Sequence, residues 1–171
     1  MNYMEIYECD TSNHLGVGVS LFVSGCPYHC KGCFNPQSWP YEAGQPFTTE
    51  EMNRIITALQ QPGRTGFSLL GGEPLCDKNR EECAKIVKTI KLWLPHINIW
   101  VYTGGTYEQH MKDNDPSIME IFSMIDVLVD GPFVEELKDL RLNFRGSKNQ
   151  RIIDMQKTLK ENTVVLHPLN N

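Results

Sequence analysis

The sequence has 171 residues, enough for one domain with a hydrophobic core and too few for two comfortable ones. Its formal net charge of −5 excludes the basic balance with which nucleic-acid-binding proteins attract phosphates, so we expect no nucleic-acid partner. With 40% hydrophobic and 22% charged residues, the composition is that of an ordinary globular protein and not of a disordered or fibrous one.

The first ten residues and the apolar runs predict a cytoplasmic protein with no membrane span. MNYMEIYECD contains acidic residues and lacks the apolar region of a secretory signal peptide, and no apolar run approaches the length that spans a bilayer. Cytoplasmic thiols stay reduced, so the six cysteines indicate metal binding, catalysis or core packing and not disulfides.

The first half of the chain predicts a strand, a helix and a second strand, in that order. VGVSLFV, Val17–Val23, alternates apolar residues with a period of two, as in a strand with one buried face. Thr48 and Glu51 form a capping box that opens a helix over residues 50–61, and the sequence PG ends that helix. GFSLL, residues 66–70, is a short apolar run that predicts a buried strand.

The second half continues the alternation of helices and strands. Apolar residues recur at helical spacing from Cys83 to Leu94, where a proline ends the helix. INIWVY, residues 97–102, predicts a strand, SIMEIFSMI, residues 117–125, a helix, and DVLVD, residues 126–130, another strand. TVVLH near the end is a further strand candidate, and FRGSKNQR before it predicts a polar, basic connection.

Strands that alternate with helices of about ten to fifteen residues predict βαβ units, and hence an α/β fold with a parallel sheet. Four motifs directly follow the four main strands: SGCPYHCKGC, GGEP, TGG and DGP. Because the carboxyl ends of parallel strands meet at one edge of a sheet, we expect these motifs to form one site. No repeat or linker divides the chain, and we expect residues 1–171 to form a single domain.

The first motif places three cysteines within eight residues, in the spacing CxxxCxxC. A structural zinc site needs four ligands, for which His29, Cys9 or His14 is a candidate fourth member. A ferredoxin-type electron carrier also uses four cysteines per cluster, and no fourth cysteine follows here within forty residues. Three thiolates on a cubane of four irons would leave one iron open to a substrate or cofactor.

The pairing of CxxxCxxC after the first strand with GGEP after the second resembles the radical S-adenosylmethionine enzymes. This resemblance implies an incomplete (partial) βα barrel and a [4Fe-4S] cluster held by Cys26, Cys30 and Cys33, with S-adenosylmethionine bound to the open iron. The implied reaction is reductive cleavage of S-adenosylmethionine to methionine and a 5′-deoxyadenosyl radical, which abstracts a hydrogen atom.

The same resemblance assigns residues to S-adenosylmethionine. The residues implied to bind it are Gly32, Cys33, Phe34, Gly71, Gly72, Glu73, Thr103 and Asp130. The GGE residues are expected at its methionyl end, the residues around the third cysteine at its adenine, and the last two at its adenosyl or ribose side. Many family members have an aromatic residue just before the third cysteine. This chain has a glycine there, so only backbone contact with adenine is expected.

A narrower resemblance extends over residues 21–154 and rests on five blocks, of which DVLVDGPFVEELKDL and FRGSKNQRIID are the most discriminating. Together they are similar to the activating proteins of anaerobic ribonucleoside-triphosphate reductases. The resemblance implies that the chain installs a glycyl radical on the large reductase subunit. It also implies a low-potential electron donor such as flavodoxin or ferredoxin.

Two alternatives stay open from the sequence. The first is an activase of another glycyl-radical enzyme, such as pyruvate formate-lyase. The second is a non-catalytic zinc-binding interaction module, against which GGEP argues because such a module has no use for a cofactor loop. Four basic residues, Arg141, Arg145, Lys148 and Arg151, either face solvent or help to dock an acidic partner.

Overall fold

Residues 1–170 are described by the computed structural model, and they form seven strands and five α-helices. The strands are β1 Asn2–Asp10, β2 Val17–Val23, β3 Gln45–Pro46, β4 Arg64–Gly71, β5 Asn98–Tyr102, β6 Val127–Asp130 and β7 Arg151–Asp154. The helices are α1 Thr49–Leu59, α2 Arg80–Trp93, α3 Tyr107–Asp113, α4 Pro116–Met124 and α5 Met155–Glu161. The strands form one sheet in the order β3-β1-β2-β4-β5-β6-β7.

The centre of the sheet is parallel and its flanks are antiparallel. Strands β2, β4, β5 and β6 run in one direction, and helices connect each to the next. Strands β1 and β7 flank them in the opposite direction. The sheet stays open because β3 and β7 stand at its two edges. The predicted α/β fold with a partial βα barrel is therefore confirmed, and the four motifs follow strands that end at one edge.

The prediction of a parallel sheet was incomplete, because it missed three strands with antiparallel pairing: β1, the two-residue β3, and β7. In β1 the buried residues are Tyr3, Ile6 and Asp10, and their spacing lacks a period of two because register shifts interrupt the pairing with β2. Strand β7 has only 4 residues and begins within the stretch predicted as a polar connection. TVVLH contributes a single bridge, between Leu166 and Ile153.

The helices pack on one face of the sheet and bury the main hydrophobic core. Strand residues such as Leu21 and Leu69 face this core, as does the fully buried Cys83 on α2. The predicted capping box of Thr48 and Glu51 is present and opens α1. Within residues 1–170, every helix is too short or too polar to span a lipid bilayer.

The opposite face of the sheet is concave and carries a smaller core. Its buried residues are Trp100, Val127, Val129 and Ile152, and Tyr102, Phe144 and Leu169 pack against them. Irregular segments lie over this face: loop 11–16 between β1 and β2, residues 132–150 between β6 and β7, and the segment after α5. The space that these segments leave open is the site cavity.

The segment 132–150, which we call the strap, folds back on itself as two arms. A backbone bridge joins Lys138 to Ser147, and the Val134 amide donates to the buried Ser147 hydroxyl at 3.2 Å. At the base, Asn149 Nδ2 donates to Pro132 O at 2.7 Å. The two discriminating sequence blocks therefore contribute the two arms of one structure.

Candidate functional site

The loop after β2 holds the three cysteines at the carboxyl edge of the sheet. Gly25 N donates to Ser38 O at 2.7 Å and Cys26 N donates to Trp39 O at 3.0 Å, so the start of the loop is tied to the segment that follows it. His29, with a φ of 45°, stacks its ring on Trp39 with 4.5 Å between the centroids. The thiol-bearing loop thus has a fixed shape, and all three cysteines are half-buried.

Backbone amides donate to two of the thiols. Burial raises the pKa of the Cys26 thiol, and the amides of Tyr28 and His29, which donate to its sulfur, act in the opposite direction. The Asn35 amide donates to Cys33 Sγ at 3.4 Å. Such hydrogen bonds favour the thiolate, which is the form that binds iron. All three cysteines line one cavity of about 470 Å³.

The GGE loop continues β4 and lies directly against the start of the cysteine loop. Gly72 N donates to Val23 O and Glu73 N donates to Gly25 O, each at 2.7 Å. Gly71 has a φ of 109°, and a Cβ atom there would lie 2.7 Å from Val23 N. Only glycine satisfies both conditions. This backbone pairing brings all three GGE residues to the wall of the cavity that the cysteines line.

The Glu73 carboxyl group is buried and joins the loop after β4 to the turn after β5. Its oxygens accept hydrogen bonds from the Gly104 amide at 2.7 Å and the Leu75 amide at 2.9 Å. Burial raises the pKa of Glu73 to about 7, although these amides and the Thr103 hydroxyl act to lower it. The groups that act on it within residues 1–170 are amides and a hydroxyl, none of them cationic. A buried carboxyl group of this kind is suited to a cationic ligand.

Thr103 lines the cavity beside Glu73, where its position at the end of β5 predicted it. Its hydroxyl lies 3.0 Å from His110 Nε2 and accepts a hydrogen bond from the Gly105 amide at 3.1 Å. His110 is buried on α3, and burial lowers the pKa of its imidazole. These two contacts, with the His110 imidazole and the Gly105 amide, fix the position of the Thr103 hydroxyl.

Tyr28 is a site residue that the sequence analysis missed. Its ring packs on the TGG turn after β5, where a Cβ atom on Gly104 would lie 2.5 Å from Tyr28 Cδ2. It lines the cavity together with Cys26 and Cys30. It could have been predicted from its position inside the CPYHC motif, between two of the predicted metal ligands.

Gly32 and Phe34 flank the third cysteine and both line the cavity. Gly32 has a φ of 73°, and a Cβ atom there would lie 2.8 Å from Glu135 Oε1 on the strap. The left-handed backbone favours glycine at this position. Phe34 is 81% exposed. Lys31 Nζ lies 3.0 Å from Glu135 Oε2, so the strap touches the cysteine loop directly.

Asp130 is the predicted site residue that the structure does not bring to the cavity wall. Its side chain is fully buried, and it accepts hydrogen bonds from the Tyr107 amide at 2.8 Å and from Arg151 Nε at 2.9 Å. Arg151 also pairs with Glu108 at 2.7 Å. These contacts anchor α3 and β7 to β6. We therefore leave Asp130 out of the proposed cofactor site.

The basic cluster predicted near the end of the strap makes contacts within the chain. Arg141 Nη2 lies 2.8 Å from Asp139 Oδ2, and Lys148 Nζ lies 3.8 Å from the same atom. Arg145 Nη1 donates to Gln150 O at 2.9 Å and lines the cavity. Arg151, the fourth member, pairs with the buried Asp130 and the exposed Glu108. The cluster thus supports the strap.

The cavity also has a floor and a roof that the sequence analysis did not predict. Ser12 and Asn13, from loop 11–16, form the floor. The strap forms the roof, through Phe133, Lys138, Asp139, Leu140, Phe144, Arg145, Gly146 and Gln150. The blocks of the strap were recognised as discriminating, but nothing in the sequence placed them over the cysteines.

Comparison with known proteins assigns this site to a family. A family model described as a 4Fe-4S single cluster domain matches residues 13–153. The chain is 41% identical over 152 residues to the anaerobic ribonucleoside-triphosphate reductase-activating protein of Escherichia coli K12, over 88% of this chain and 96% of the relative. The proteins of the same name from Vibrio cholerae and phage T4 are 39% identical over 154 residues and 38% identical over 152 residues. Those alignments cover 89% of this chain in both cases, and 97% and 93% of the relatives.

The chain belongs to the family of anaerobic ribonucleoside-triphosphate reductase-activating proteins. The cavity fits the single cluster of this activating-protein family, because three half-buried thiols, two of them bound by amides, line it together. Within residues 1–170, no group of three or more His, Cys, Asp and Glu side chains converges closely enough for one metal ion.

Proposed function

We propose that this chain is a radical S-adenosylmethionine activase that installs a glycyl radical on the large subunit of an anaerobic ribonucleoside-triphosphate reductase. The observation that carries the proposal is the shared cavity: three thiols and the GGE loop line it together. The names of the relatives supply the target, since an activating protein of this reductase acts on that enzyme.

In this proposal Cys26, Cys30 and Cys33 hold the [4Fe-4S] cluster as thiolates. The cluster and S-adenosylmethionine, when bound, supply the electron and the cleavable bond that yield methionine and a 5′-deoxyadenosyl radical. The chain contributes amide hydrogen bonds to the sulfurs of Cys26 and Cys33, which stabilise the anionic ligands.

The GGE loop and the turn after β5 are proposed to bind the charged end of S-adenosylmethionine. The carboxyl group of Glu73 has a pKa of about 7 and no cation beside it among the groups that act on it within residues 1–170. An ammonium group placed there would lower that pKa and keep the carboxylate ionised at neutral pH. The backbone of Gly71 and Gly72 lets a ligand approach closely because no side chain obstructs it. Thr103 is proposed to orient the ribose.

The exposed side of the cysteine loop is proposed to receive the electron. Phe34 is 81% exposed there, and the Lys31 side chain is 80% exposed. We propose a cytoplasmic, low-potential donor such as flavodoxin or ferredoxin, without a nucleic-acid or membrane partner.

The proposed function is tested by combining the reduced, anaerobically purified protein with S-adenosylmethionine and the reductase, without oxygen. The protein is expected to be brown with about four irons per chain, and electron paramagnetic resonance is expected to show a glycyl doublet on the reductase. A doublet on pyruvate formate-lyase but not on the reductase would contradict the proposed partner. A colourless protein that contains zinc would contradict the proposed chemistry.

Replacing Cys30 with Ala is expected to abolish the brown colour, the cleavage of S-adenosylmethionine and the glycyl doublet. The reason is that two remaining thiolates should not retain a cubane. Cys9→Ala is the matched control, because Cys9 is exposed on β1 and takes no part in the cavity lining. Continued S-adenosylmethionine cleavage by the Cys30 variant would show that the ligand assignment is wrong.

A further inference from the structure

The floor of the cavity is built by a main-chain carbonyl that two strands hold. Asn13 O accepts a hydrogen bond from Ser68 Oγ on β4 at 2.6 Å and from Tyr102 Oη on β5 at 3.0 Å. Both Asn13 and Tyr102 line the cavity that the cysteines line. Loop 11–16 is thereby pinned across the concave face of the sheet.

A buried carboxylate holds the Asn13 side chain from the other side. Asn13 Nδ2 donates to Asp10 Oδ2 at 2.7 Å, and the Ser12 amide donates to Asp10 Oδ1 at 2.8 Å. Burial acts to raise the pKa of Asp10, but hydrogen bonds from Ser20, Ser12 and Asn13 together lower it below its ordinary value. The buried Asp10 is therefore a fixed anion, and it fixes the amide group of Asn13.

His14 completes the support beneath the floor. His14 Nδ1 lies 2.7 Å from Ser68 Oγ, whose hydrogen is already donated to Asn13 O. Nδ1 must therefore donate to Ser68, which sets the tautomer of the imidazole. Burial lowers the pKa of His14, although the charge of Asp10 acts in the opposite direction. Each member of the chain from His14 through Ser68 to Asn13 thus has a fixed donor or acceptor role.

The position of Asn13 separates it from the proposed cofactor loops. Ser68 precedes Gly71 by three residues on β4, which is about 10 Å at the usual rise of a strand. Asn13 is bonded to Ser68 and Tyr102, which lie earlier on their strands than the GGE loop and Thr103 do. Between the two levels the cavity wall is apolar, with Leu70 and Val129 on it. The floor is therefore a second polar level within one cavity.

Only one part of Asn13 is needed to shape the floor. The carbonyl that Ser68 and Tyr102 bind is backbone, and any residue at this position would supply it. The side chain donates one of its two Nδ2 hydrogens to Asp10, and Oδ1 takes no hydrogen bond within the described residues 1–170. A held amide with a spare donor and acceptor matches the N–H and C=O groups of a peptide main chain.

We propose that the Asn13 side chain binds the main chain of the glycine-bearing segment of the reductase. The proposal rests on the proposed function and names the part of the cavity that takes the protein substrate. The radical glycine itself has no side chain, so at that residue only the backbone N–H and C=O groups are available for hydrogen bonds. Apolar walls exclude competing water, and a polar floor fixes the register of the peptide. His14, Ser68 and Asp10 are positioning residues that act through Asn13.

The test compares Asn13→Ala with the intact holoprotein in two measurements. The first is the affinity for a synthetic peptide that copies the radical-glycine segment of the reductase, and the second is the affinity for S-adenosylmethionine. The variant is expected to bind the peptide about tenfold more weakly, which corresponds to about 1.4 kcal/mol, because two hydrogen bonds are lost. Its affinity for S-adenosylmethionine is expected to be unchanged, since the cofactor loops lie on the other level.

A third measurement follows the hydrogen atom itself. With reductase deuterated at glycine, the intact protein is expected to form 5′-deoxyadenosine that carries deuterium. The variant is expected to form 5′-deoxyadenosine with a lower deuterium fraction, because the glycine is no longer held in register. Asn13→Ser, which keeps a hydroxyl for Asp10, is the second variant and is expected to show the same losses. Asn53→Ala, at an exposed position on α1, is the matched control.

Unchanged peptide affinity and deuterium fraction in both Asn13 variants would overturn the inference. An equal loss of affinity for S-adenosylmethionine would also overturn it, because Asn13 would then serve the cofactor. Failure of the proposed function looks different: the intact protein would form no glycyl radical on the reductase at all.

Discussion

Two glycines on the concave face make room for the buried ring of His14. A Cβ atom on Gly66 would lie 2.3 Å from His14 Cδ2, and all three atoms nearest to it belong to that ring. A Cβ atom on Gly18 would lie 1.7 Å from Gly66 O, so that position admits no side chain. Glycine inside a strand weakens the strand, and close approach of another group is the usual reason for it. Gly66 and His14 therefore depend on each other.

The dependence predicts an interaction between two substitutions. Gly66→Ala is expected to destabilise the protein by about 1–3 kcal/mol, because the new methyl group overpacks against His14. In a His14→Ala background the same substitution is expected to cost less than half as much, since the colliding ring is absent. Urea unfolding of the four proteins measures this coupling. Strictly additive effects would contradict the proposed contact.

The sequence predicted the residues of the upper level and missed those of the floor for a physical reason. The cysteines, Glu73 and Thr103 stand directly after strands, where local patterns mark them. Asn13 and His14 lie in a loop before a strand and gain their role through Ser68 and Tyr102, which are 55 and 89 residues away. No local pattern encodes contacts at such separation. Asp130 is the opposite case. It stands at the end of a strand, as the pattern requires, but its carboxylate accepts a hydrogen bond from Arg151 and does not line the cavity.

At the level of elements, the strap is the part of the fold that contacts the cysteine loop from above. Lys31 lies 3.0 Å from Glu135 and 3.7 Å from Glu136, and all three side chains are well exposed. Exposed ion pairs add little to global stability. These pairs nevertheless join two irregular segments, so they influence how often the roof of the cavity separates from its wall.

Reversing the charge of Lys31 is expected to loosen the strap without unfolding the sheet. In Lys31→Glu the new carboxylate faces Glu135 and Glu136, and the repulsion replaces two attractions. Hydrogen exchange of the strap amides is expected to quicken severalfold, while exchange in β2, β4 and β5 stays unchanged. Lys85→Glu is the matched control, because Lys85 pairs with Glu82 within α2 at 3.4 Å. Equal hydrogen-exchange rates of the strap amides in both variants would show that the ion pairs of Lys31 do not hold the strap to the cysteine loop.

Elements were predicted where local chemistry decides them. The T-x-x-E box gave α1 correctly because both of its hydrogen bonds lie within one turn of the helix. The four parallel strands were found because burial makes them continuously apolar or alternating. Strand β1 was missed because bulges break its alternation, and β7 because its only apolar residues are Ile152 and Ile153, between two charged residues. These two strands, like β3, depend on pairing with a distant partner and not on their own pattern.

At the scale of the whole molecule, burial shifts several titratable groups with opposite consequences for stability. Burial lowers the pKa of His14, His110 and His167. Below pH 6.5 these histidines therefore bind more protons in the unfolded chain than in the folded chain. Their contribution to stability falls as the pH decreases below the ordinary histidine value of 6.5. Glu73 acts in the opposite sense. Burial raises its pKa from 4.5 to about 7, so its contribution is fully present below pH 4.5 and is lost as the pH rises through 7.

Glu73→Gln is therefore expected to make the protein more sensitive to acid. The measured quantity is the free energy of unfolding of the intact, cluster-free protein minus that of the variant. This difference is expected to grow by about 3 kcal/mol as the pH falls from 7 to 4.5, because Glu73 takes up a proton in the folded chain over that range. Urea unfolding at a series of pH values measures the difference. Glu81→Gln, at an exposed position on α2, is the control, because an exposed carboxyl group is solvated alike in both states. A difference that stays constant between pH 7 and pH 4.5 would mean that Glu73 ionises as easily in the folded chain as in water. The argument that the buried carboxyl group is suited to a cationic ligand would then be wrong.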